Sequence, residues 1–186
     1  RPMIVVNTIW DDFLFQQVAE CRQNIRISTP DLSIPHVQQI LKAKRINVPL
    51  EVATGYGIKE FYRGSTDLDA VETLVRGKGN ITGVPGLEAI FAVFDEERAF
   101  VSSGNLVSEG PASDRSYNIL IDNPYVSKQL ANDFDSLVHS EPAHAFSLDV
   151  IAEFREMIRK LNVREKQERK DPRYDLPLLT DLLDTL

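Results

Sequence analysis

The amino-acid sequence predicts an α/β sandwich built around a mixed sheet, and three observations predict it. Short apolar runs alternate with helical stripes between Trp10 and Thr82, as β-α-β units require. Gly86 to Asn105 then reads as two apolar strands joined by an acidic turn, a hairpin that adds antiparallel strands. A further strand and helix, Tyr117 to Val138, return the chain to the sandwich.

The elements follow in order. Met3 to Val6 suits a short strand or arm. Trp10, Phe13, Leu14, Val18 and Cys21 form one helical stripe, with Asp11 and Asp12 in the first turn. Asn24 to Pro30 alternates at period two and stops at proline. Ser33 suits a cap for a helix with Pro35 in its first turn, buried through Val37, Ile40 and Leu41 and ending among Lys42, Lys44 and Arg45. Val48 to Thr54 is the next strand, turned by Gly55-Tyr56-Gly57. Ile58 to Gly64 carries no decisive pattern. Thr66 or Asp67 opens a helix through Leu68, Val71, Leu74 and Val75 that Gly77 and Gly79 stop, and Asn80 to Thr82 is a short strand. In the hairpin, Ala89 to Phe94 is almost continuously apolar, as expected of a strand buried on both faces. Asp95-Glu96-Glu97 breaks it, Arg98 to Val101 resumes it, and Ser102-Ser103-Gly104-Asn105 closes it with hydroxyls and an amide. Asn123-Pro124 starts a helix with Val126, Leu130, Phe134 and Leu137 on one face.

Composition changes after Val138. The division expected is a domain over 1–138 and an extension over 139–186. His139 to Phe146 reads as a linker, followed by an amphipathic helix through Leu148, Ile151, Phe154, Ile158 and Leu161. Arg155 to Lys170 holds seven cations against three glutamates, although the whole chain carries −7. That overall charge argues against broad nonspecific binding to nucleic acid or anionic membrane and leaves a local basic surface as the exception. Arg155, Arg159, Lys160 and Arg164 are its candidate nucleic-acid contacts. Cys21 is the only cysteine, which excludes a disulfide framework and a cysteine zinc site. No apolar run approaches a membrane span. The expectation is a cytoplasmic protein without cofactor, metal or membrane partner. Because the chain opens Arg1-Pro2-Met3, it is also read as a piece of something longer.

The strand–helix order, Asp95 and the Ser103-Gly104-Asn105 exit together resemble one half of a phospholipase D-type phosphodiesterase, over roughly residues 10–138. The resemblance implies a hairpin carrying His-x-Lys, four residues, then Asp, followed by Gly-Ser-x-Asn. In the family one histidine attacks phosphorus, a second protonates the leaving group, and Lys and Asn hold phosphate oxygens. Asp95 fits the Asp, and Ser103 and Asn105 fit the Ser and Asn, with Ser102 in place of Gly. Counting back, Glu88 stands at the nucleophile's position and Ile90 at the lysine's. None of the three histidines, His36, His139 and His144, is followed two residues later by Lys.

The resemblance therefore implies a phospholipase D-type sandwich with a helical extension, catalytically inactive at Glu88, Ile90 and Asp95. Its use would be binding, dimerisation or regulation in a nucleic-acid-processing protein. Two further readings stay open. One is the structural half of an active phosphodiesterase whose His-Lys motif lies elsewhere. The other is a sensor of a sugar or phosphate ligand near Ser103 and Asn105. Family geometry implies a homodimer through the degenerate-motif face, where two Glu88 carboxylates would repel each other unless one is protonated or a cation bridges them. The simplest structural roles are a hairpin cap for Asp95, backbone hydrogen bonding for Ser103 and Asn105, and core or interface packing for Trp10, Phe13 and Phe15.

Overall fold

Period-two strands and 3.6-period helices can bury their apolar sides together only by layering. A computed structural model describes residues 4–6, 10–64, 66–103 and 118–168. In chain order the elements are β1 (Ile4–Val6), α1 (Trp10–Glu20), β2 (Ile25–Ser28), α2 (Ile34–Ala43), β3 (Leu50–Gly55), α3 (Ile58–Arg63) and α4 (Leu68–Arg76). There follow β4 (Asn80–Val84), β5 (Phe91–Phe94), β6 (Arg98–Ser102), β7 (Asn118–Ile121), α5 (Pro124–Val138), β8 (His144–Ala145) and α6 (Leu148–Glu168). The strands form one mixed sheet in the order β1-β7-β6-β5-β2-β3-β4-β8. β2, β3 and β4 are parallel, and the remaining pairs are antiparallel.

Alternation assigns the two faces. On β5, Ala92 and Phe94 enter the larger core with Leu14 and Val18 of α1, Val37 and Ile40 of α2, and Val71 and Leu74 of α4. Phe91 and Val93 point the other way, to Ala131 and Phe134 of α5. There Phe91 meets Phe134 edge-on at 6.5 Å. β5 is buried on both faces, as its apolar run predicts, but it begins only at Phe91; Ala89 is exposed and Ile90 half-buried. Phe13 packs against Phe100 with ring centres 6.0 Å apart, a core role.

Several elements differ from what the sequence suggests. Ile58 to Gly64 is the helix α3, closed by Gly64 in the left-handed conformation (φ 76°). Its short length hid the period; Phe61 is its one buried residue. Ser33 stands at the N-cap of α2 but makes no capping bond, because its hydroxyl bonds the His36 ring at 2.8 Å. The stretch read as a linker contains β8, which pairs with β4. Behind it, Phe146, Ile151 and Phe154 are buried in the larger core. Other caps match the sequence: Asp67 accepts from the Asp69 N–H, and Asn123 from those of Tyr125 and Val126.

Asp95 is the clearest correction. Its carboxylate does not cap its own hairpin. It reaches back to the α1–β2 turn and accepts the backbone N–H groups of Arg22 (2.9 Å), Gln23 (2.7 Å) and Asn24 (3.0 Å), while its own N–H donates to the Asn24 carbonyl at 2.9 Å. Four hydrogen bonds thus fasten the hairpin tip to a loop some seventy residues earlier.

A different close approach sets the far side of the sheet. Tyr56, just after β3, lies over Gly83 of β4, where an added Cβ would fall 2.3 Å from the ring carbon Cδ2. The Tyr56 ring stacks on His144 at 4.5 Å and 19° and meets Phe154 edge-on at 5.2 Å.

Asp95→Asn is expected to cost about 1–2 kcal/mol of stability and Asp95→Ala about 3 kcal/mol, since a carboxylate accepting backbone N–H groups makes charge-assisted bonds. Urea denaturation measures both. Gly83→Ala is expected to destabilise by about 1–3 kcal/mol through overpacking against Tyr56, read as a lowered Tm.

Candidate functional site

Strand directions gather the polar loops onto one edge of the sheet. The C-terminal ends of β2, β3 and β4 lie there. So do the start of β5, the end of β6 and the start of β7, because Ser28 pairs with Phe91, Phe91 with Val101, and Ser102 with Asn118. In open α/β sheets, ligands bind outside the carboxyl ends of the parallel strands. Glu88, Ile90 and Ser103 fall on this edge. Asn105 lies outside the described residues.

Among the described residues, several polar groups at this edge hold the edge itself. Ser28 Oγ donates to the Ala89 carbonyl at 2.9 Å, and the Ser102 N–H donates to the Ile90 carbonyl at 3.0 Å. These two bonds fix the Leu87–Ile90 segment from both neighbouring strands. Ser102 Oγ donates to the buried Asn118 Oδ1 at 2.7 Å. The Pro30 carbonyl accepts from Thr66 Oγ1 (2.8 Å), Thr54 Oγ1 (3.2 Å) and the Gly55 N–H (3.3 Å). Within this frame Glu88 is exposed, Ile90 packs partly against the larger core, and Ser103 is exposed. Asp95, at the other end of β5, is occupied as described. The edge thus brings Glu88, Ile90 and Ser103 together and leaves Asp95 apart.

The basic run divides. Arg155 makes ion pairs with Asp69 and Glu72 of α4, and Arg159 pairs with Glu156 at 2.8 Å. The Arg159 guanidinium holds the Glu156 carboxyl down to about 2. Lys160 stands 3.7 Å from Glu156 and, with Arg164, lines a cavity of about 630 Å³ between α6 and the β3–α3 turn. Arg155, Arg159 and Lys160 thus take part in intramolecular ion pairs, and Lys160 and Arg164 lie along the cavity.

Sequence reasoning missed three groups. Asn118 carries a signal, an amide opening an otherwise apolar strand. Tyr56 carries one in its two flanking glycines. Asp31, in the loop leaving β2, carries none: it is half-buried, and burial raises its carboxyl above the ordinary value of 3.8. Perturbed acids of this kind concentrate at functional sites. At neutral pH the ionised form opposes folding. The stability that Asp31 contributes is present below 3.8 and is lost as pH rises through the elevated folded value. Asp31→Asn is expected to raise Tm at pH 7, with the gain disappearing in thermal melts below the ordinary aspartate range.

No protein-family model matches the sequence, and no curated protein matches it. Solved structures do. Nuc, a phospholipase D family member from Salmonella typhimurium, superposes with a TM-score of 0.61 at 11% identity, over 77% of this chain and 97% of that one. Phosphatidylserine synthase from Haemophilus influenzae Rd KW20 gives 0.64 at 15% identity, over 86% of this chain and 43% of that one. TrmBL2, an archaeal chromatin protein with a novel mode of DNA binding, gives 0.52 at 15% identity, over 73% and 52%. At these identities the likeness is one of architecture. The mixed sheet with helices on both faces has the phospholipase D-like fold.

Proposed function

We propose that the chain is a catalytically inactive phospholipase D-like domain serving as a binding, dimerisation or regulatory module of a larger cytoplasmic protein that works on nucleic acid. The observation that carries this is the identity and setting of residues 88 and 90. Phosphodiester displacement through a phosphohistidine needs an unprotonated imidazole aimed at phosphorus and cations on the equatorial oxygens. Here an exposed carboxylate, Glu88, repels a phosphodiester, and a half-buried aliphatic side chain, Ile90, offers it no charge.

The histidines sit elsewhere. His36 bonds Ser33, His139 bonds the Asp135 carbonyl, and His144 stacks on Tyr56. β8 is separated from β5 by β2, β3 and β4, so His144 stands about 19 Å from the degenerate motif at the usual spacing of about 4.8 Å per strand. A nucleic-acid setting is supported by the fold shared with a DNA-binding chromatin protein and by the cations of α6. Pairing of two copies through the Glu88 edge is part of the same reading.

Two assays test it. Bis(p-nitrophenyl) phosphate is expected to turn over no faster than in buffer; turnover abolished by Asn105→Ala would overturn the inactive-domain reading and favour an active phosphodiesterase. Light scattering at high protein concentration is expected to return a dimer, and a monomer would remove the pairing.

A further inference from the structure

The cavity beneath α6 is walled mainly by apolar groups that stay open to solvent. Tyr56 and Ile58 line it from the β3–α3 turn, Pro85 from the end of β4, and Phe154, Met157 and Leu161 from α6. Met157 is 44% exposed, Pro85 is exposed, and Ile58 and Leu161 are half-buried. Charge plays no part in what this trough offers an occupant, since Lys160 beside it is already paired with Glu156. A contiguous apolar surface of this kind marks a place where something packs.

The chain carries a matching segment after α6. Leu178, Leu179, Leu182, Leu183 and Leu186 recur at i, i+1, i+4, i+5 and i+8, with Thr180, Asp181, Asp184 and Thr185 between them. At helical period that spacing gathers all five leucines on one face and the four polar residues on the other. Pro177, just before the stripe, suits the first turn of a helix, and Pro172 suits a break between it and α6. A helix this short does not hold by itself in water. Its leucine face needs an apolar surface to pack on.

Reach favours the trough as that surface. From Met157 to Glu168, where the described part of α6 ends, is about 16 Å at about 1.5 Å per residue. Residues 169–177 span up to about 30 Å when extended, enough to turn and return alongside α6. A helix over 178–186 is about 13 Å long, comparable with the stretch of about 10 Å from Phe154 to Leu161. Antiparallel helices joined by a short connection are a common pairing. We propose that the leucine face of residues 178–186 seats in the cavity beneath α6, covering Ile58, Pro85 and Met157. This seat is independent of whether the Glu88 edge is active.

Disulfide trapping in the full chain tests the seat. Met157→Cys with Leu182→Cys is expected to close an intramolecular bond at least about tenfold faster than Asn162→Cys with Leu182→Cys, since Asn162 is exposed about 140° further round α6. The native Cys21 takes no part, being buried, with burial pushing its thiol up to about 12. Nile red gives a second reading whose sign separates the outcomes. With the leucine face seated, Leu182→Asp with Leu183→Asp uncovers the trough and is expected to raise dye fluorescence at least about twofold. With that face unseated, the same change removes exposed apolar surface and lowers it. Met157 and Asn162 are exposed, and positions 182 and 183 lie outside the described residues, so circular dichroism is expected to show the variants folded. Equal closure rates for the two pairs, linkage only between chains, or dye fluorescence that falls or stays unchanged in the folded variant overturns the proposal.

Discussion

The Asp95 carboxylate is the interaction on which the central part of the fold depends. It accepts three consecutive backbone N–H groups from the α1–β2 turn, between a helix end and a strand start. The same residue adopts a left-handed backbone conformation, as does Glu96 after it, both at φ 55°. Two such residues in succession are costly without glycine. Asp95 is held by its N–H donors and by its own bond to Asn24. Glu96 is held by Arg26, which it meets at 3.0 Å. Arg26 is itself largely enclosed, between Glu51, Glu96 and Asp135. The hairpin tip is thereby locked to β2, to β3 and to α5 at once.

That lock braces the phospholipase D-like scaffold independently of the side chains at positions 88 and 90. Asp95 works at one end of β5 as a structural brace, and none of its bonds involves the residues at the other end. There, Ser28 and Ser102 hold the Leu87–Ile90 segment through its carbonyls, which every residue possesses. Side chains at positions 88 and 90 are consequently free to change without loss of the backbone path. Ile90 packs partly against the larger core, while Glu88 is exposed.

The other end of the sheet follows different physics. β8 is only two residues long, yet its pairing with β4 brings His144 over Tyr56 and leads the chain into α6. Arg155 ties α6 to α4 through Asp69 and Glu72, and this contact directs the following turns of the helix across the β3–α3 loop. Within that run of cations, Arg155, Arg159 and Lys160 meet acidic partners, and Lys160 and Arg164 lie along the cavity.

The sequence by itself determined the sandwich, the hairpin and the caps Asp67 and Asn123, because these depend on local period and turn chemistry along the chain. It identified Asp95 as a residue of consequence but pointed it at the wrong turn. Its partners are close only after β5 lies beside β2. Tyr56, Gly83 and His144 were equally invisible as a group, being brought together by strand register rather than by any spacing. The hairpin of β5 and β6 could be read along the chain because its strands and turn are contiguous. What braces it, and what faces it, was decided only by tertiary structure, because hydrogen-bond donors and charges seventy or more residues away have no periodic signature in the sequence.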